Sequence, residues 1–234
     1  MRRNLLGFGL LLGLVLPGLV GCQGMKLADV GSFWQMPWNE KPDTMPGVVA
    51  PHERIARLQS LAEEGATAQP QRQEQVSKEL AGVIREEADP VIRREIVRAL
   101  AAYPTTAAAG VLKAAMKDSD AEVRIAACDA WAERGGPEAV TILSEALASD
   151  TNVDVRLAAA RALGQTRDHR AVASLGQALE DRDPAMQRRA VESLEQVTGE
   201  DLGNDVNRWR TYVKTGTPPS AEPISIAERL RQWF

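Results

Sequence analysis

From residue 52 onward, apolar side chains recur at i, i+4, i+7 and i+8, the stripe of an amphipathic helix. Laid against itself, the stripe shows a longer period. The segment Asp89-Pro90-Val91-Ile92-Arg93 returns as Asp120-Ala121-Glu122-Val123-Arg124, as Asn152-Val153-Asp154-Val155-Arg156 and as Asp183-Pro184-Ala185-Met186-Gln187, at offsets of 31, 32 and 31 residues. The positions behind it keep step. Ile92, Ile96, Ala99 and Leu100 correspond to Val123, Ala127, Ala130 and Trp131, then to Val155, Ala159, Ala162 and Leu163, then to Met186, Ala190, Ser193 and Leu194. A second stripe precedes each of these, through Leu80, Leu112, Leu143 and Leu175 and through Ile84, Met116, Leu147 and Leu179. Two stripes sharing one period predict one helical hairpin per unit.

Punctuation agrees with that reading. Asp or Asn opens each second helix as an N-cap, and Pro90 and Pro184 fall in the first turn, where a missing N–H costs nothing. Gly135-Gly136-Pro137 and Gly164 read as helix ends or turns. A lone hairpin leaves its apolar face in water, so neighbouring units must stack and share one core. The 35 alanines favour helices at close approach over a sheet. The predicted fold class is all-α, a right-handed α-solenoid of helical hairpins over residues 52–198, with a leading helix from His52 and about four repeats.

The pattern D-x-x-V-R-x-x-A-x-x-A-L at a step near 31 resembles HEAT-like repeats of the phycocyanobilin-lyase type. That resemblance implies that Arg93, Arg124 and Arg156 are structural arginines paired with the aspartate of a turn, and that the second helices line the concave side. Repeat one departs from it with Ile96 and Val97, and repeat four with Gln187 in place of the arginine. Two rows then cross the second helices. Arg94, Ile125, Leu157 and Arg188 place two apolar residues between arginines, either a partner-binding spot or side chains buried by the bend. Arg98, Asp129, Arg161 and Glu192 alternate in sign and read as an ion-pair ladder between repeats. In residues 199–216, Asp205 precedes a helix carrying Trp209 and Tyr212, similar to a terminal element of HEAT-repeat proteins of planctomycete-like bacteria. Asp205 would cap that helix, and the two aromatics would cover the open end of the stack.

The N-terminal 21 residues read differently. Arg2 and Arg3 precede an apolar run over 5–20 that is too short and glycine-rich for a comfortable membrane span. Leu19-Val20-Gly21-Cys22 resembles the bacterial lipobox, which implies cleavage before Cys22, a lipid on that cysteine and a periplasm-facing envelope protein. Gln23 is not the inner-membrane retention aspartate, which favours the outer membrane. Residues 22–51 form a proline-rich tether. Its Phe33, Trp34, Met36 and Trp38 are open to three readings: headgroup contact, a cap on the first helices, or modest local packing. Beyond the linker 217–223, residues 224–234 predict a short helix with Ile226, Leu230, Trp233 and Phe234 on one side, suited to self-association, docking or membrane contact.

Charge and chemistry narrow the function. The chain carries 28 Lys and Arg against 32 Asp and Glu, so a nucleic-acid partner, which requires clustered cations, is not expected. After cleavage Cys128 is the sole thiol, so no disulfide framework is expected, and its alanine neighbours suggest a buried, inert residue. His52 and His169 are the only histidines. His52-Glu53 resembles the His-Glu pairs of HEAT-repeat di-iron hydroxylases, but one pair does not make such a site. Metal spacings, phosphate-binding loops and nucleophile elbows are absent from the sequence. We therefore expect a non-catalytic, membrane-anchored scaffold for a protein or peptide, with no cofactor and no metal. The alternatives are a lyase-like accessory or cofactor-handling protein, or a self-associating structural lipoprotein.

Overall fold

The computed structural model describes residues 49–219, and every ordered element within them is helical. Cys22, expected to carry a lipid, the aromatics of residues 22–51 and the C-terminal segment with Ile226, Leu230, Trp233 and Phe234 lie outside the described residues. The elements are α1 (Pro51–Gly65), α2 (Pro70–Glu86), α3 (Pro90–Ala101), α4 (Thr106–Ala115), α5 (Ala121–Arg134), α6 (Gly136–Ser149), α7 (Val153–Thr166), α8 (Val172–Ala178), α9 (Pro184–Thr198) and α10 (Val206–Thr215). A 3-10 turn, His169–Ala171, leads into α8.

The helices start where short polar side chains satisfy the first free N–H groups. Asp89 accepts from the Val91 N–H, Asp120 from those of Glu122 and Val123, Asn152 from those of Asp154 and Val155, and Asp183 from that of Ala185. Each such cap typically contributes about 1 kcal/mol. Thr105 does the same for α4. Proline opens α1, α2, α3 and α9 without losing a helical hydrogen bond.

Two rows of helices result. The odd-numbered helices pack in series, α1 on α3, α3 on α5, α5 on α7 and α7 on α9, while among the even-numbered helices α2 meets α4, and α8 meets α6 and α10, along shorter stretches. The core lies between the rows. All sixteen second-helix positions read from the repeat are buried, including Trp131 and the polar Ser193. On the first helices, Leu112, Leu143, Leu175 and Leu179 are buried, whereas Ile84 and Met116 are half-buried against the core. This is a HEAT-like all-α solenoid.

Gly164 corrects one expectation. It does not end a helix but sits inside α7, which runs on to Thr166 and is capped by Arg167 at φ 52°. A Cβ at Gly164 would lie 2.9 Å from Ser193 Cα, so glycine is required by the approach of α9 to α7 and not by a turn. Gly135, at φ 63°, does end α5.

Candidate functional site: the repeat faces

The row Arg94, Ile125, Leu157 and Arg188 falls on α3, α5, α7 and α9, two residues beyond the first core residue of each helix. Ile125 and Leu157 are half-buried and pack against the core, which leaves part of each side chain in solvent. Arg94 is half-buried and donates to Glu95 Oε1 at 3.2 Å. Arg188 is exposed and donates to Glu192 Oε1 at 3.0 Å. Two partly covered aliphatic side chains thus stand on adjacent helices, with a guanidinium on the helix at either side.

The alternating row makes a single bridge between repeats. Arg161 donates to Asp129 Oδ1 at 2.6 Å, across 32 residues of sequence. Arg98 instead turns to Glu95 of its own helix at 2.7 Å, and Glu192 is taken by Arg188 and Arg189 of α9. Glu95 explains the first departure. It is buried, and a buried carboxylate needs hydrogen-bonded cations, which Arg94 and Arg98 supply. The corresponding positions in the next two repeats are Ala126 and Ala158, so Asp129 and Arg161 have no such competitor nearby in the motif.

The inter-repeat ladder runs through the turn arginines Arg93 and Arg124 and stops at Arg156, which is expected to pair with a turn aspartate but makes no ion pair among the described residues. Arg93 is bidentate to Asp118, Nε to Oδ2 at 2.9 Å and Nη2 to Oδ1 at 2.8 Å, while its Nη1 donates to the Ala88 carbonyl at 2.9 Å. Arg124 repeats this on Asp150 at 2.8 and 3.0 Å and on the Asp118 carbonyl at 2.8 Å. The same aspartates bind the N–H two residues on, Asp118 that of Asp120 and Asp150 that of Asn152. Each therefore ties its own turn to the preceding repeat. At the leading end, Arg54 of α1 pairs with Glu87 in the equivalent turn. The ladder thins toward α9. Arg156 keeps a bond to the Asp150 carbonyl at 3.1 Å, and Gln187 retains only the backbone half, donating to the Asp181 carbonyl at 2.7 Å.

These bonds leave an electrostatic mark. Hydrogen bonds from Arg93 hold Asp118 below the usual carboxylate range against the opposing effect of partial burial. At Asp150 burial pushes upward, yet the Arg124 guanidinium and the Asn152 N–H together outweigh it and the net direction is down. Burial pushes the Cys128 thiol up to about 12, so this cysteine is a small apolar core residue at neutral pH.

At the C-terminal end Asp205 accepts from the Asn207 and Arg208 N–H groups and opens α10. Trp209 is fully buried, donates from Nε1 to the Gly203 carbonyl at 2.8 Å, and meets Tyr212 edge to face with ring centroids 5.8 Å apart. α10 packs on α8 and α9. At the other end Tyr103, absent from the repeat-based reading, is fully buried and donates from its hydroxyl to the Leu61 carbonyl at 2.7 Å. It anchors α1 beside Gly65, where a Cβ would come within 2.8 Å of its ring. A lone buried tyrosine outside any period leaves no pattern to find. His52 and His169 are both exposed, on α1 and before α8. Among the described residues no three His, Cys, Asp or Glu side chains come together as a metal site would require.

A family model described as HEAT repeats matches residues 77–156 and 143–205, more than half of the chain. The chain belongs to the HEAT-repeat family. Among solved structures it is similar to human deoxyhypusine hydroxylase in complex with glycerol, at 24% identity and a TM-score of 0.48, over 53% of this chain and 44% of that one. The chain thus matches less than half the length of that enzyme. No protein of curated function matches the sequence.

Proposed function

We propose that this HEAT-repeat protein is a non-catalytic scaffold, held by a lipid on Cys22 in the bacterial envelope and facing the periplasm. The outer membrane is favoured over the inner by Gln23. Its odd-numbered helices serve a protein or peptide partner through Arg94, Ile125, Leu157 and Arg188. The observation behind this reading is the partial exposure of Ile125 and Leu157 on adjacent helices, with arginines on the flanking ones. A continuous two-layer core leaves such a row rigid, so a partner meets a surface that needs no ordering on binding. The anchor rests on the residues Leu19-Val20-Gly21-Cys22 behind a basic and apolar leader.

Two experiments test the two halves. Metabolic labelling with a clickable palmitate analogue, followed by fractionation, is expected to mark the wild-type chain in the membrane and to fail for Cys22→Ser; equal labelling of both disproves the anchor. Affinity capture from an envelope extract is then compared between wild type and Ile125→Asp/Leu157→Asp, with circular dichroism confirming that both are helical. A partner retained by the wild type and lost by the folded variant supports the row, and capture of the same partner by both removes it.

A further inference from the structure

Among the described residues, clefts open between successive even-numbered helices. Of three such open clefts, the one between α2 and α4 is the most voluminous at about 620 Å³; those between α4 and α6 and between α6 and α8 measure about 400 and 340 Å³. Charge distinguishes them. The α2–α4 cleft is lined by Lys78, Arg85 and Arg93 against the single carboxylate of Asp118, and Arg93 already neutralises that carboxylate. The next cleft sets Lys113, Lys117 and Arg124 against Asp118, Glu145 and Asp150, and the third sets Arg156 against Glu180 and Asp181. Surplus positive charge thus belongs to the first cleft alone among the three.

The floor of that cleft is apolar and carries two glycines inside helices, Gly82 of α2 and Gly110 of α4. A Cβ at either would meet nothing within 4 Å. Gly65, Gly164 and Gly176 are different, because a Cβ there would strike Ala102 and Tyr103, Ser193 or Val213. Glycine is a poorer helix former than alanine, and at these three positions packing against another helix accounts for it. At Gly82 and Gly110 nothing among the described residues does. Both are exposed and line the cleft, where an added side chain would project into it.

We propose that the α2–α4 cleft binds an acidic segment of a partner protein, one that inserts a bulky apolar side chain between Gly82 and Gly110 and sets carboxylates against Lys78 and Arg85. Those two cations stand seven residues apart on α2, about 10 Å along the axis, so they flank the apolar floor. Arg85 makes no ion pair among the described residues. The exposed Lys78 pairs only with the half-buried Glu74 at 3.0 Å among the described residues, a surface pair that contributes little and can exchange for another acid. The cleft lies on the even row, so its occupancy is independent of the partner proposed for the odd row.

The test is fluorescence anisotropy of the full chain with a labelled hexapeptide carrying Leu-Trp between two pairs of glutamates, and with its twin carrying lysines instead. The acidic peptide is expected to bind at least tenfold tighter than its twin in low salt. That preference should be lost on filling the cleft with Gly82→Leu/Gly110→Leu, and inverted by Lys78→Glu/Arg85→Glu, whose exposed positions leave folding intact. Equal affinity for the two peptides, or binding unchanged in the charge-reversed variant, overturns the proposal. So does association with anionic phosphatidylglycerol vesicles that the same variant abolishes, because the occupant would then be a lipid surface. A concentration-dependent molecular mass lost with the glycine substitutions would likewise assign the cleft to a second copy of the chain.

Discussion

The α7–α9 contact and the α2–α4 cleft are built from one repeat, yet they treat glycine in opposite ways. On α7 the absence of a side chain at Gly164 brings α9 so near that a Cβ would lie 2.9 Å from the Ser193 backbone. On α2 and α4, Gly82 and Gly110 face open space. In the first case glycine is a packing residue, and in the second it lines a cleft at exposed positions where no described neighbour requires it. A small side chain read from sequence alone is therefore ambiguous between contact and vacancy, and only the neighbouring helix separates them.

The largest expected effect that sharpens this contrast comes from the turn ladder, which links the rows. Arg124→Ala should cost about 2–3 kcal/mol, because it leaves the nearly buried Asp150 carboxylate without its charged donors. Arg156→Ala, which loses a single bond to a backbone carbonyl, should cost about 1 kcal/mol or less. Urea unfolding of the two variants checks the ratio, and equal losses would show that the carboxylate contacts contribute nothing beyond the backbone bond. Next come the glycines. Gly164→Ala should destabilise by about 1–3 kcal/mol through overpacking against α9. Gly82→Ala should stabilise by roughly 0.5–1 kcal/mol through helix propensity alone. Thermal midpoints moving in the same direction for both would erase the distinction between the two kinds of glycine.

The smallest effect is a pH dependence. Asp118 and Asp150 have depressed pKa values in the folded chain. Their contribution is therefore present above the ordinary aspartate value of about 3.9 and lost as pH falls through the folded value. The stability gap between wild type and Arg124→Ala should accordingly be full at pH 7, similar at pH 5 and reduced near pH 3. A gap independent of pH would mean that Arg124 acts through packing and its backbone bond, not through Asp150.

Much of the fold is legible in the sequence. Ile92, Val123, Val155 and Met186 are core because a 31-residue period and a helical stripe coincide there, and each is buried. The caps at Asp89, Asp120, Asn152 and Asp183 were readable because they depend on contacts two or three residues away. Partner choice among the charges was less so. Arg98 and Arg161 occupy equivalent positions, but the buried Glu95 diverts the first to its own helix while the second crosses to Asp129. The sequence contains Glu95, yet its burial is a property of the packed helices.

The division follows the range of the forces involved. Hydrophobic periodicity, capping and proline placement act within one or two helical turns, so the 234-residue string alone was enough to specify hairpins, their repeat and their stacking into a solenoid. The distance between neighbouring helices is set by every side chain along the contact at once. That distance alone decided that Gly164 is a contact, that Tyr103 anchors α1, and that a cleft of positive lining opens between α2 and α4.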